Sequence, residues 1–180
     1  MNLKRKRIFK FLPLLLFAAG ALFVASCSSD DDELSNRDDV VTVKLSIRAN
    51  NGEYSSLIRE GEDVEFLLTI ENHSNNDIWL PAPSELVGNQ FFTIYSSDGK
   101  EVDKPWDILF VNFITSTNIK GKGQVTYSCS WLEGQSKSSH LTFVKEHERL
   151  PLPKGDYYTE FTVNLGDYGI RKCKQSFKIE

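Results

Sequence analysis

Residues 41–48 read VTVKLSIR, and their alternation of apolar and polar side chains decides the fold class. An alternation of period two predicts a strand that is buried on one face. The inward face of this strand is predicted to carry Val41, Val43, Leu45 and Ile47. The stretch DVEFLLTIE at 63–71 repeats the pattern, with an inward row of Val64, Phe66, Leu68 and Ile70. Two such rows in sequence favour a sheet that packs one face on a core.

Similar segments continue to the end of the chain. They give eight or nine strand candidates, at 41–48, 63–71, 77–81, 90–102, 106–115, 124–132, 140–144, the later part of 150–165, and 171–180. Asp98-Gly99 lies inside the fourth of these, which we therefore expect to form a hairpin with a tight turn. No segment has a convincing amphipathic helical pattern. Many short alternating strands separated by turn residues predict an all-β fold, an antiparallel sandwich of two sheets.

The order of four segments resembles immunoglobulin-like sandwich domains. These segments are EFLLTIENHSNNDIWL, FFTIYSSDGKEV, IKGKGQVTYSCSWL and LPKGDYYTEFTV. They are similar to the intracellular proteinase inhibitor (BsuPI-like) family across about residues 63–165. The long insert between Trp131 and Leu150 departs from that family, as does the absence of Pro-Gly before Val125. The resemblance implies an immunoglobulin-like β-sandwich over residues 40–180.

The N-terminus has the pattern of a secretory signal. Five cations in MNLKRKRIFK precede an apolar run of 14 residues from Phe11 to Val24. About 20 apolar residues are needed to cross a bilayer, so this run is too short for a spanning helix. A basic start, a short apolar middle and small residues after it predict a signal peptide over residues 1–26.

The stretch Val24-Ala25-Ser26-Cys27 resembles a bacterial lipobox, which implies acylation of Cys27 as the first residue of the mature chain. The following SSDDDE resembles the surface-export signal of Bacteroidota lipoproteins. An ordinary solvated charged linker is the alternative reading of this acidic run. We expect residues 27–39 to be an acidic disordered tether. The protein is then anchored by lipid to the outer membrane, either exposed at the cell surface or facing the periplasm.

Composition limits the partners. The whole chain has 21 basic and 25 acidic residues, and loss of the five cations of the signal leaves the mature chain at a net charge of −9. The mature chain has no dense Lys/Arg stretch, so nucleic acid is not an expected partner. Its 154 residues suit one domain.

Two cysteines remain besides Cys27, and both fall on the inward phase of predicted strands. Cys129 and Cys173 could form a disulfide in an oxidising compartment, or could be two buried thiols. The strand alternation around Cys129 also argues against a nucleophilic cysteine, since a thiol is activated by a helix N-terminus or by neighbouring cations.

No residue pattern predicts catalysis. The three histidines, His73, His140 and His147, lack the spacing of a zinc site, and the DGKEVD stretch at 98–103 lacks the spacing of a calcium loop. The acidic cluster at 60–65 has no feature that would separate the pKa values of its members, which glycosidase chemistry requires. We therefore expect no enzyme, no metal and no cofactor.

Trp79 and Trp106 lie near Pro81, Pro83 and Pro105, beside predicted loops, and are the candidate contact residues. Exposed tryptophans can stack on sugar rings or anchor a protein partner, although large side chains also cover the ends of a core. The sequence thus predicts a membrane-anchored, non-enzymatic binding or accessory lipoprotein for a glycan or a protein. The alternatives are a proteinase inhibitor-like domain and an enzyme of unrecognised type.

Overall fold

The computed structural model describes residues 25–26, 28–29, 40–104, 107–110, 116–132, 141–144 and 149–180. Within these ranges the chain forms the following strands: β1 Ala25–Ser26, β2 Ser28–Ser29, β3 Val41–Ala49, β4 Leu57–Ile58, β5 Val64–Asn72, β6 Ile78–Pro81, β7 Ile94–Ser96, β8 Glu101–Asp103, β9 Asp107–Phe110, β10 Ser116–Ile119, β11 Gln124–Ser130, β12 Leu141–Val144, β13 Gly155–Asn164 and β14 Ile170–Ile179. A short helix, α1, spans Pro83–Val87, and single 3₁₀ turns lie at Gly88–Gln90 and Gly166–Tyr168.

Two larger sheets form the sandwich. The four-stranded sheet has the order β1-β3-β5-β11, and its ladders are antiparallel. The six-stranded sheet has the order β2-β14-β13-β7-β8, with β4 pairing in parallel with the end of β14. Two antiparallel pairs, β6–β10 and β9–β12, complete the described sheets. The prediction of an all-β antiparallel sandwich is confirmed.

The inward rows of the two sheets meet in one core. Phe66 of the four-stranded sheet and Phe177 of the six-stranded sheet lie 5.8 Å apart between ring centroids. The predicted inward residues of β3 and β5 are all buried. Alternation in the last two strand candidates predicts a second set of inward residues, and these are buried as well: Tyr157, Phe161, Val163, Leu165, Cys173, Phe177 and Ile179. Burial of a large apolar side chain stabilises by about 1.5–3 kcal/mol, so this shared core is the main source of stability.

Phe91 and Phe92 depart from the predicted strand at 90–102. Both side chains are buried, although strict alternation would place one of them outside. Phe92 has a φ of 58°, and this left-handed conformation turns two consecutive rings into the core. A left-handed residue costs roughly 1–2 kcal/mol, which is less than the gain from burying a second phenylalanine. The strand therefore begins only at Ile94.

Short elements account for the other differences from the sequence-based expectation. The helix α1 places Leu86 and Val87 in the core, but its five residues are too few for a helical period to be visible in the sequence. The strand β10 has the polar sequence STNI, and its buried Thr117 lies 3.4 Å from the Tyr127 hydroxyl. Their polar composition or short length explains why these elements were not predicted.

Ordered pairing also begins before the expected Val40. Ser28 and Ser29 form a ladder with Lys172 and Arg171, at the start of β14. Ala25 and Ser26 pair with Leu45 and Lys44 of β3. The remainder of the predicted signal peptide and of the predicted tether lies outside the described residues.

Candidate functional site

A surface groove of about 470 Å³ crosses the outer face of the six-stranded sheet at one end. Four segments that are neighbours in space contribute to it, because Ser56 lies beside β14 and Ser97 lies beside β13. The Lys178 amide donates to the Ser56 carbonyl at 2.8 Å, and the Ser97 amide donates to the Asp156 carbonyl at 2.9 Å. Across the strands, the polar lining runs in the order Ser56, Lys178, Ser176, Asp156, Tyr158 and Ser97. Four strands spaced about 4.8 Å apart give a groove roughly 14 Å long.

One wall of the groove is a stack of three side chains, which we call the tyrosine–lysine stack: Tyr95, Tyr158 and Lys174. Tyr158 pairs with Tyr95 in the β13–β7 register, and their rings are nearly parallel with centroids 5.2 Å apart. The Lys174 ammonium lies 3.9 Å from the centre of the Tyr158 ring, within the range of a cation–π interaction. The stack fixes Tyr158 from both sides and so gives the groove a preformed wall.

Glu160 holds the lysine end of the stack in place. Its two carboxylate oxygens each lie 3.1 Å from an ammonium group, one of Lys172 and one of Lys174. Partial burial acts to raise the pKa of Glu160, but the hydrogen bonds from the two lysines outweigh it and lower that pKa. At neutral pH the carboxylate is ionised, and it balances positive charge beside the groove.

The predicted Asp98-Gly99 turn closes the β7–β8 hairpin and positions Ser97 at the end of the groove. Gly99 has a φ of 84° and donates to the Ser96 carbonyl at 2.9 Å. The Asp98 carboxylate accepts from the Ser96 hydroxyl, which lowers the pKa of Asp98. A side chain at Gly99 would begin 3.8 Å from the Tyr158 hydroxyl, so the turn also contacts the wall.

Trp79 is the predicted contact residue that the structure describes, and it is 67 % exposed. It lies on β6 directly opposite Asn118 of β10. Its strand ends at Pro81, and a Cβ on Gly166 would lie 3.3 Å from the Pro81 ring. Trp79 therefore belongs to the end of the sandwich that carries the β13–β14 turn, whereas the groove lies at the other end. Trp106 and Cys27 lie outside the described residues.

The two remaining cysteines are not bonded to each other. Cys129 is a buried free thiol, whereas Cys173 is disulfide-bonded. Cys129 pairs with Phe66 in the four-stranded sheet, and Cys173 pairs with Phe161 in the six-stranded sheet. Packed sheets lie about 10 Å apart, which exceeds the Cα separation of a disulfide. The Cys129–Cys173 bridge allowed by the sequence is therefore absent.

Cys129 is also unsuited to nucleophilic chemistry. Burial raises the pKa of its thiol, and the nearby Asp63 carboxylate raises it further. A thiol that stays protonated at neutral pH is a weak nucleophile.

One cluster brings a hydroxyl, a histidine and a carboxylate together on the outer face of the four-stranded sheet. Thr42 Oγ1 lies 2.7 Å from His73 Nε2, and Glu71 Oε2 lies 3.5 Å from the same nitrogen. A catalytic triad needs the acid on the other ring nitrogen, so that the histidine can accept the hydroxyl proton. A 2.8 Å hydrogen bond from Lys44 also lowers the pKa of Glu71. The cluster is therefore a surface ion-pair network.

Among the described residues, no group of three His, Cys, Asp or Glu side chains is placed to hold a metal ion. In the same part of the chain, the helices are too short or too polar to cross a membrane. His140 and His147 lie outside the described residues.

The groove was not predicted from the sequence. Alternation along β13 and β14 places Tyr158 and Lys174 on the outer face, but it does not show that they lie next to each other. The strand register is what brings Tyr95 and Lys174 to opposite sides of Tyr158. That register depends on pairing between distant segments, which a single sequence does not specify.

Comparison with known proteins gave no relatives. No family model matches the chain, and no curated protein and no solved structure matches it. The resemblance to immunoglobulin-like domains and to the BsuPI-like family thus stays a prediction.

Proposed function

We propose that this chain is a lipid-anchored, non-enzymatic binding domain of the outer membrane, exposed at the cell surface. Its anchor is acylated Cys27, and its contact surface is the groove bounded by the tyrosine–lysine stack. The observation that carries the binding role is this groove, because a rigid wall lowers the entropy cost of holding a ligand.

The lining of the groove favours a neutral, hydroxyl-rich ligand. Asp156 and Lys178 are directly opposite each other in the β13–β14 register. The groove therefore offers one carboxylate, which accepts hydrogen bonds, and one ammonium group, which donates them. The ammonium of Lys174 is balanced by Glu160. Ser56, Ser97 and Ser176 add hydroxyls that both donate and accept. These polar groups match the hydroxyl groups of a carbohydrate. A protein partner is the alternative that the experiment below must distinguish.

The surroundings of the ionisable groups support a non-enzymatic role. Hydrogen bonds from neighbouring lysines lower the pKa values of Glu71 and Glu160, so both carboxyl groups are ionised at neutral pH. General acid catalysis by a carboxyl group needs a raised pKa.

Glycan-array binding of the full mature protein in detergent tests the ligand class. Replacement of Asp156 or Lys178 by alanine should lower affinity about 10-fold or more, because a hydrogen bond to a charged group is worth about 1.5–3 kcal/mol. Thr162→Ala, on the far outer face of β13, is the matched control and should bind as wild type. A pull-down from host extracts and a panel of proteases form the other arms. Binding of glycans that is unaffected by both groove variants would contradict the proposal.

Mass spectrometry of the mature N-terminal peptide tests the anchor. Acylation predicts that the mature chain begins at Cys27 and that this residue carries the mass of its acyl chains. An unmodified N-terminal peptide would reject the lipid anchor.

A further inference from the structure

We infer that Ser176 is the specificity-determining residue of the groove, because its short side chain leaves the space in which an internal sugar ring of an oligosaccharide lies. This inference rests on the proposed function, since it concerns the same groove. It narrows the ligand from a carbohydrate in general to a chain of rings that crosses the strands, with one ring seated on Ser176.

Ser176 interrupts a row of long side chains. Burial alternates along β14, and the exposed residues on its outer face are Lys172, Lys174, Ser176 and Lys178. At a rise of about 3.4 Å per residue, Lys174 and Lys178 are about 14 Å apart along the strand, and Ser176 lies midway between them. Both lysines and Ser176 line the groove. The groove therefore coincides with this break in the row, which we call the Ser176 gap.

The lysine on the turn side is held away from the Ser176 gap. Lys174 is directly opposite Glu160 in the β13–β14 register, and its ammonium lies 3.1 Å from that carboxylate. The same ammonium lies 3.9 Å from the centre of the Tyr158 ring. The Lys174 side chain thus reaches across onto β13 and does not lie over Ser176. Tyr158 is directly opposite Ser176, and its stacking on Tyr95 fixes its ring beside the gap.

The lining also shows how deep the Ser176 gap is. Tyr157 and Phe177 contribute to the groove, although their side chains are buried in the core. These two residues are directly opposite each other, at the positions next to Tyr158 and Ser176. Because their side chains point to the other face of the sheet, the groove reaches the level of the strands themselves here. A larger side chain at position 176 would fill this space.

The place of the Ser176 gap along the groove favours an internal ring. Lining residues continue on both sides of β14, to Ser56 in one direction and across β13 to Ser97 in the other. A single ring on Ser176 leaves both of these ends unused. An oligosaccharide can place further rings beside the Ser56 and Ser97 hydroxyls, each of which can donate and accept a hydrogen bond.

A series of side-chain sizes at position 176 tests this inference on an array of neutral oligosaccharides and their constituent monosaccharides, with the full mature protein in detergent. Ser176→Ala keeps the space and loses one hydroxyl, so affinity should fall less than about 10-fold, as for one neutral hydrogen bond. Ser176→Phe fills the space and should bind at least about 10-fold more weakly than Ser176→Ala. Ser176→Leu is a second filling variant and should also bind more weakly than Ser176→Ala.

Thr162→Phe is the matched control, because it adds the same ring at an exposed position of β13 outside the groove. It should bind as wild type. Wild type should also bind oligosaccharides more tightly than the constituent monosaccharides, and equal affinity for the two would overturn the internal ring.

Wild-type affinity in both filling variants would overturn the role of Ser176. A loss in Ser176→Ala as large as that in Ser176→Phe would do the same, because the hydroxyl and not the space would then be what binds. Asp156→Ala separates the two proposals. Glycan binding that is weakened by Asp156→Ala but not by the filling variants removes the role of Ser176 alone. A wild-type protein that binds no sugar removes this inference together with the proposed carbohydrate ligand.

Discussion

The two ends of the β13–β14 hairpin differ in how their exposed side chains are satisfied. At the groove end, Tyr158 is held between Tyr95 and Lys174, and Lys174 is paired with Glu160. At the turn end, Trp79 and Ile170 expose apolar surface to solvent. One end has a groove with a polar lining, and the other exposes these two apolar side chains. The same two strands thus supply two surfaces of different chemistry.

The largest expected effect is on the predicted anchor. Cys27→Ser removes the thiol that would be acylated, and two or more acyl chains are what hold a soluble domain on a membrane durably. We expect nearly complete loss of the protein from the membrane fraction, with ligand affinity unchanged. Cell fractionation and binding measurements check both parts. Full membrane retention of the variant would contradict the anchor.

The groove end should respond most to removal of its wall. Tyr158→Ala removes the ring between Tyr95 and Lys174, and we expect ligand affinity to fall at least 10-fold. We also expect stability to fall by about 1–2 kcal/mol, since an aromatic pair contributes about 0.5–1.5 kcal/mol beyond its buried area. Calorimetry of binding and urea unfolding measure the two effects. Tyr158→Phe, which keeps the stack, should retain most of the stability, and a loss as large as that of alanine would contradict a stacking role.

Alanine substitutions at Gly99 and Gly166 compare how much each of the two turns contributes to stability. Gly166 has a φ of 62° and a site for Cβ 3.3 Å from the Pro81 ring, whereas Gly99 has a φ of 84° and 3.8 Å of clearance from the Tyr158 hydroxyl. Alanine costs roughly 1–2 kcal/mol at a left-handed position, and the crowded Gly166 should lie at the upper end of that range. Urea unfolding should therefore rank Gly166→Ala as less stable than Gly99→Ala. Ligand affinity should fall for Gly99→Ala alone, and a loss in Gly166→Ala would show that the two ends are coupled.

The smallest expected effect is the pH dependence from Glu160. Its pKa is lower in the folded protein than the usual 4.5, so the unfolded chain takes up the proton first as the pH falls. Its contribution is present above about pH 4.5 and is lost as the pH falls through the folded pKa. Wild type should lose stability more steeply than Glu160→Gln below pH 4.5, by under about 1 kcal/mol for a partly exposed pair. Parallel slopes in urea titrations between pH 3 and 6 would exclude this role.

Alternation in the sequence predicted β3, β5, β11, β13 and β14, and it is clearest in β14, where buried and exposed residues alternate along the whole strand. In β11 the pattern fails at the end, where Ser128 and Ser130 are buried together with Cys129. Phe91 and Phe92 broke the pattern, since a left-handed Phe92 lets adjacent rings share one side. The polar β10 was missed for a related reason: burial of Thr117 beside the Tyr127 hydroxyl is decided by tertiary packing.

The candidate site was less predictable than the fold. Trp79 was identified because tryptophan is large and lies beside prolines, and its exposure follows from the alternation along β6. The tyrosine–lysine stack depends on three strands in a particular register. The charge balance around Glu160 depends on two lysines that lie two positions apart on β14. Register joins residues that are distant in the chain, so a local pattern does not reveal it.

The binding role of the groove is tested most directly by hydrogen–deuterium exchange with and without a glycan that the array identifies. We predict slower exchange in the presence of the glycan for peptides covering 56–58, 97–100 and 176–178, which contribute to the groove. Peptides covering 78–81 and 166–172, at the far end of the sandwich, should exchange at the same rate in both samples. Unchanged exchange of the groove peptides, or protection confined to 166–172, would contradict this account.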